Sequence, residues 1–147
     1  MLIEKKLTTK VAFAIASLLV ASSSFAEDYT ASCSTAGFTG TAYISAFREG
    51  PRIYITNTGY QIKAPAADQH LSTAKISVYQ LDNYSNKPTP WRSTRPNLKQ
   101  DDRSHPLNMQ TYMWTPSWIT QYVKFDFASS TNTTPTCTAS IKISLPQ

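Results

Sequence analysis

An all-β fold is predicted, and three observations predict it. Apolar and polar residues alternate with period two through most of the chain after residue 26, no segment there carries a sustained helical stripe, and the two cysteines fall near the two ends of that region. About seven strands fit, which suits an antiparallel β-sandwich; the immunoglobulin-like form is one version of it, and a small β-barrel is the alternative.

Residues 1–26 are set apart from that fold. Lys5, Lys6 and Lys10 stand against one acid, Glu4, an uncharged apolar run covers 11–21, and Ser24 and Ala26 place small side chains where a signal peptidase reads them. The run is far shorter than the ~20 residues that span a bilayer. It therefore reads as a cleaved export signal of bacterial type, with no stable membrane insertion after cleavage and a periplasmic or secreted destination. Cleavage leaves 27–147, which is 121 residues, enough for one core and too few for two.

The exported part holds 11 Lys and Arg against 8 Asp and Glu. Its cations are scattered, with no run that could track phosphates, so nucleic acid is not an expected partner. Charged residues make up 16% of the chain and aromatic residues 12%, a balance that argues against disorder.

The first strand is predicted over 29–35, with Tyr29, Ala31 and Cys33 on one face, and Ala36-Gly37 breaks it. The second covers 38–47 and turns Phe38, Gly40, Ala42, Ile44 and Ala46 inward; the third covers 52–58 and turns Ile53 and Ile55 inward. Pro51 cannot donate to a ladder, so Arg48-Glu49-Gly50-Pro51 is predicted as a four-residue loop, pairing Phe47 with Arg52, Ala46 with Ile53 and Ile44 with Ile55. Tyr43, Phe47 and Tyr54 then share the outer face. Thr58-Gly59 is predicted as a turn, 60–63 as a short continuation and 64–72 as a loop. Further strands follow at 74–81, 119–127 and 137–145, the last two joined by the polar connection 129–135. Ile119, Gln121, Val123, Phe125 and Phe127 point one way there, as do Cys137, Ala139, Ile141, Ile143 and Leu145.

Cys33 and Cys137 are both inward positions in an oxidising compartment, so a disulfide closing a separation of 104 residues is expected, with the first and last strands close together. Neither a C-x-x-C pair nor a metal-ligand cluster is present. No metal or cofactor is expected.

Residues 82–118 break the rhythm. This segment holds all three Trp, five of the nine Pro and five of the eleven exported basic residues. It is predicted as a long insert in which only 110–114 forms a short strand. Loops on a rigid scaffold commonly carry binding, so the site is expected here. Trp91, Arg92 and Arg95 form its centre: an indole face can stack on a sugar ring or a partner side chain, and guanidinium groups bind carboxylates bidentately. Tyr84, Trp114, Trp118 and His105 complete the candidate set. The competing structural reading has the tryptophans capping the core and the arginines solvated.

Catalytic signals are thin. Asp101-Asp102-Arg103-Ser104-His105 gathers acids, a hydroxyl and an imidazole, but no G-x-S-x-G, H-E-x-x-H or phosphate loop is present. The expected function is an exported small binding protein, first an inhibitor- or immunity-type module whose partner is another protein. The alternative is a module that binds carbohydrate or a cell-envelope polysaccharide. A small hydrolase stands third and requires His105 beside Asp101 or Asp102.

Overall fold

The computed structural model describes residues 25–82, 88–114 and 118–145. The segment predicted as an export signal, up to residue 24, and Tyr84 lie outside the described residues. The alternating segments become β1 (Glu27–Thr35), β2 (Phe38–Glu49), β3 (Arg52–Lys63), β4 (Ala74–Asp82), β7 (Trp118–Asp126) and β8 (Thr136–Ser144), with β5 (Pro88–Leu98) and β6 (Asp101–Trp114) between β4 and β7. They form two antiparallel four-stranded sheets, ordered β1-β2-β3-β6 and β5-β4-β7-β8. This is a sandwich. Its order departs from the immunoglobulin arrangement, in which the third strand belongs to the second sheet; here β1, β2 and β3 run as consecutive hairpins in one sheet.

The inward residues of the two sheets make one core. Ala42, Ile44, Ile53, Ile55 and Ile62 come from the first sheet, and Ile76, Val78, Ile119, Val123, Phe125 and Ile143 from the second. Phe127 stacks on Phe38 across the interface with ring centroids 5.0 Å apart. The sandwich is closed along one side, where Cys33 of edge strand β1 is bonded to Cys137 of edge strand β8, with Cα atoms 5.9 Å apart. The Tyr29 hydroxyl adds a second tie there. It donates to Glu27 Oε2 at 2.8 Å and meets the Ser144 backbone of β8, and burial first, then Glu27, pushes its pKa up to about 12.

The predicted insert is corrected by the structure. Its two halves are β5 and β6, the strands at the other edge of each sheet. Alternation failed as a guide because both strands carry bulges, which shift the inward phase by one residue. Register shifts lie between the pairs Ala74–Leu98 and Ile76–Arg95, between Gln61–Ser104 and Lys63–Asp101, and between Asn57–Met109 and Gly59–Pro106. Each coincides with a left-handed residue, Asn97 (φ 58°), Asp102 (φ 59°) and Asn108 (φ 44°), from the two residue types that tolerate that conformation best. The prolines fit an edge strand, whose outer N–H groups need no ladder partner and whose exposed edge Pro shields from further pairing.

Two smaller expectations are also corrected. The β2–β3 hairpin pairs Glu49 with Arg52, Phe47 with Tyr54 and Ala46 with Ile55, so its loop is Gly50-Pro51 alone. Gly50 takes the positive φ of 58° that a tight hairpin turn asks of its first central residue, and Pro51 holds the second, where no ladder N–H is required. The shift from the predicted pairing is two residues, so the inward face is unchanged. Thr58-Gly59 is a bulge within β3 rather than a turn: the register moves between Tyr43–Gly59 and Ile44–Asn57, and Thr58 Oγ1 donates to the Tyr43 carbonyl at 3.3 Å. Gly59 is needed there, because a Cβ would come within 2.9 Å of the His105 carbonyl on β6.

At the end away from the β2–β3 turn, one buried amide ties three connections together. Gln100, between β5 and β6, donates to the carbonyls of Asp68 and Ala128 at 2.8 and 2.7 Å and accepts from the Ala128 N–H at 3.1 Å. The buried Asp68 carboxylate accepts the Ser130 N–H at 2.9 Å. The Ser130 hydroxyl first, and then that N–H, hold the carboxyl below the usual carboxylate range. A depressed folded pKa contributes stability that is complete above the unfolded value of about 3.9 and is lost as pH falls through the folded value. Melting temperature is therefore expected to drop on acidification below about pH 4, and Asp68→Asn to flatten that drop while lowering the neutral-pH value. A pH profile unchanged by the substitution would remove Asp68 from the acid response.

Candidate functional site

The strands running to and from the β2–β3 turn set the positions of the aromatic residues. On the outer face of the first sheet, Phe47, Tyr54 and Tyr112 occupy one cross-strand row. Phe47 and Tyr54 stack at 4.9 Å and Tyr54 and Tyr112 approach at 5.8 Å. The Arg52 guanidinium lies 5.1 Å above the Tyr112 ring, which is 52% exposed.

The outer face of the second sheet repeats the arrangement with more charge. Arg92, Tyr79 and Tyr122 pair in one row across β5, β4 and β7. The two tyrosine rings stack at 4.9 Å, within 4° of parallel, and the exposed Arg92 guanidinium caps the row 5.4 Å from the Tyr79 centroid. Trp118, at the start of β7, is half-buried on the same face, with Lys142 Nζ 4.7 Å from its ring. The outward positions of this sheet thus present Lys75, Arg92, Lys124 and Lys142. The acid among the described outward residues, Asp126, lies 3.6 Å from Lys124. The face is aromatic and cationic.

The candidate set is partly brought together. Arg92 and Trp118 share this outer face. Trp91 follows Pro90 in β5, and Trp114 ends β6 opposite Arg52, which places both strand positions toward the same end of the sandwich. Arg95 is exposed on β5 but pairs with Ile76, nearer the far end. His105 lies apart, on β6 in the first sheet, paired with Tyr60. Tyr79, Tyr122 and Lys142 were missed by sequence reasoning. Their signal was present as outward positions on recognised strands, but only the register shows that they meet.

His105 makes a single well-defined contact set. Its Nε2 is 2.7 Å from Asp101 Oδ1, and its ring stacks on Tyr60 at 5.4 Å. The hydrogen bond from His105 is the main cause that holds the Asp101 carboxyl below its usual range. Ser104 and His105 are consecutive residues of a regularly paired stretch, opposite Gln61 and Tyr60, so their side chains leave opposite faces of the sheet. The imidazole–carboxylate pair that a hydrolase would need is therefore present, but Ser104 is not its nucleophile.

One groove of about 520 Å³ opens at the far end of the second sheet, lined by Thr73, Lys75, Asp126, Asn132, Thr134 and Thr136 among others. Its walls offer hydroxyl and amide groups with one ammonium and one carboxylate. Among the described residues no group of three or more His, Cys, Asp or Glu could hold a metal ion, and no helix is long and apolar enough to cross a membrane. Comparison with protein-family models, with curated proteins and with solved structures finds no match.

Proposed function

We propose that this chain is an exported binding module that holds an acidic protein partner on the outer face of its second sheet, in the manner of an inhibitor or immunity factor. The observation that carries this reading is the row Arg92–Tyr79–Tyr122 with Trp118 and Lys142 beside it. Tyr, Trp and Arg concentrate interface energy because they combine large apolar contact with fixed polar geometry. The surplus of cations on this face matches carboxylates on a partner and steers its approach. The disulfide fits an oxidising compartment, which supports export to the periplasm or the medium.

A protein partner is favoured over a sugar by the ring geometry. Stacking on a pyranose needs an open aromatic face, whereas Tyr79 and Tyr122 turn their faces to each other and one face of Tyr79 to Arg92. Their edges and hydroxyls remain for contact. The carbohydrate or envelope-polysaccharide reading keeps one observation of its own, the hydroxyl-lined groove at the far end, which could hydrogen-bond a polyol.

The test begins with capture of a partner from culture medium and envelope extract on immobilised protein. Arg92→Ala and Tyr122→Ala are each expected to weaken that partner's affinity about thirtyfold, equivalent to about 2 kcal/mol. Tyr112→Ala, on the opposite sheet, is expected to be silent. Equal losses at Tyr112 and Tyr122, or losses that track the fall in melting temperature, would overturn the assignment to this face.

A further inference from the structure

We propose that the sandwich interior contains a built hydration site, in which ordered water is held by the side-chain amides of Gln80 and Gln121. These two glutamines are directly paired across β4 and β7. Both are 0% exposed and sit inward, two residues along the ladder from the inward Val78–Val123 pair. All four amide atoms, Oε1 and Nε2 of each residue, have no hydrogen-bond partner among the protein's own groups. From the facing sheet Asn57, also 0% exposed, turns inward beside Met109. Its Nδ2 reaches the Met109 carbonyl at 3.5 Å, and its Oδ1 has no partner.

Five orphaned polar atoms would cost a sum comparable to the whole folding free energy of a domain this size, so they must be satisfied. The buried Gln100 in the same protein shows the ordinary outcome, with its oxygen and nitrogen both bonded to backbone. The glutamine pair cannot reach that outcome alone. Each amide carries two donor hydrogens and an oxygen with two lone pairs. A direct Gln80–Gln121 bond satisfies one oxygen and one hydrogen and leaves the rest. Water supplies both donors and acceptors, and internal waters make about three bonds each to groups of this kind. It is the occupant whose chemistry matches a site with unfilled oxygens and unfilled N–H groups side by side.

The experiment is a water–protein NOE measurement on the native chain, with the side-chain NH2 signals of Gln80 and Gln121 assigned by Gln80→Leu and Gln121→Leu. Both signals are expected to show direct cross-peaks to water resident for nanoseconds or longer. Gln80→Leu should also weaken the water contact of Gln121. Oxygen-17 relaxation dispersion should lose at least one long-lived water in the double leucine variant. The wild-type spectrum decides the matter even where a variant fails to fold. Amide signals without water cross-peaks, a dispersion profile unchanged in the double variant, or density for a guest other than water would overturn the proposal.

Discussion

Removing the disulfide by Cys33→Ala together with Cys137→Ala is expected to lower folding stability by about 4–5 kcal/mol, a drop in melting temperature of roughly 10–20 °C. The reason lies first in the unfolded chain. The bond joins residues separated by 104 positions, and a loop of that length regains close to the largest entropy that a single crosslink can withhold. The native state adds a second reason. β1 pairs in a ladder with β2 alone and β8 with β7 alone, so their shared side is held by side-chain packing, by the contact of the Tyr29 hydroxyl with the Ser144 backbone and by this bond. The measurement is urea denaturation of oxidised protein and double variant. A difference below about 1 kcal/mol would mean that packing around Ala31, Tyr29 and Ile141 holds the two edges without help.

Phe125→Ala is expected to cost about 3–5 kcal/mol, the range for deleting a fully buried aromatic ring. Phe125 is completely buried, pairs with Cys137 in the ladder and lies 5.9 Å from the Phe127 ring, which in turn stacks on Phe38. Its ring also lies against Gly40 on the facing sheet, where an added Cβ would come within 2.5 Å of Phe125 Cγ. The glycine is therefore the hollow into which this ring fits, and Gly40→Ala alone should destabilise by about 1–3 kcal/mol through overpacking. Combining the two alanines gives a sharper reading, because the methyl group fills part of the space the ring vacates. The double variant should lose less than the sum of the single losses. Additive losses would show that Gly40 and Phe125 act independently.

Much of the fold was legible in the sequence, because six of the eight described strands keep one phase of alternation long enough to be read. Even the inward placement of the polar Gln121 followed from its position between Ile119 and Val123. What failed was β5 and β6. There Asn97, Asp102 and Asn108 each insert a left-handed residue and reverse the phase within a few positions, so a periodic reading sees a broken pattern where the chain is continuously paired. Pro88, Pro90, Pro96 and Pro106 deepened the illusion, since a proline argues against a strand only when both of its edges are paired. The site was legible in its composition and illegible in its assembly. Arg92 and Trp118 stood out as single residues, but Tyr79, Tyr122 and Lys142 join them through register between strands distant in the chain. His105 looked like a neighbour of the arginines in sequence and is instead fixed to Asp101 in the other sheet.

The proposed binding face is tested most directly by an amide NMR titration of 15N-labelled protein with the partner recovered by capture. The expected result is that the resonances of Tyr79, Arg92, Trp118, Tyr122 and Lys142 shift or broaden together, that the effect weakens as salt is raised, and that the 129–135 loop stays still. Perturbations confined to that loop and Lys75, or to the Phe47–Tyr54–Tyr112 row of the first sheet, would contradict the account.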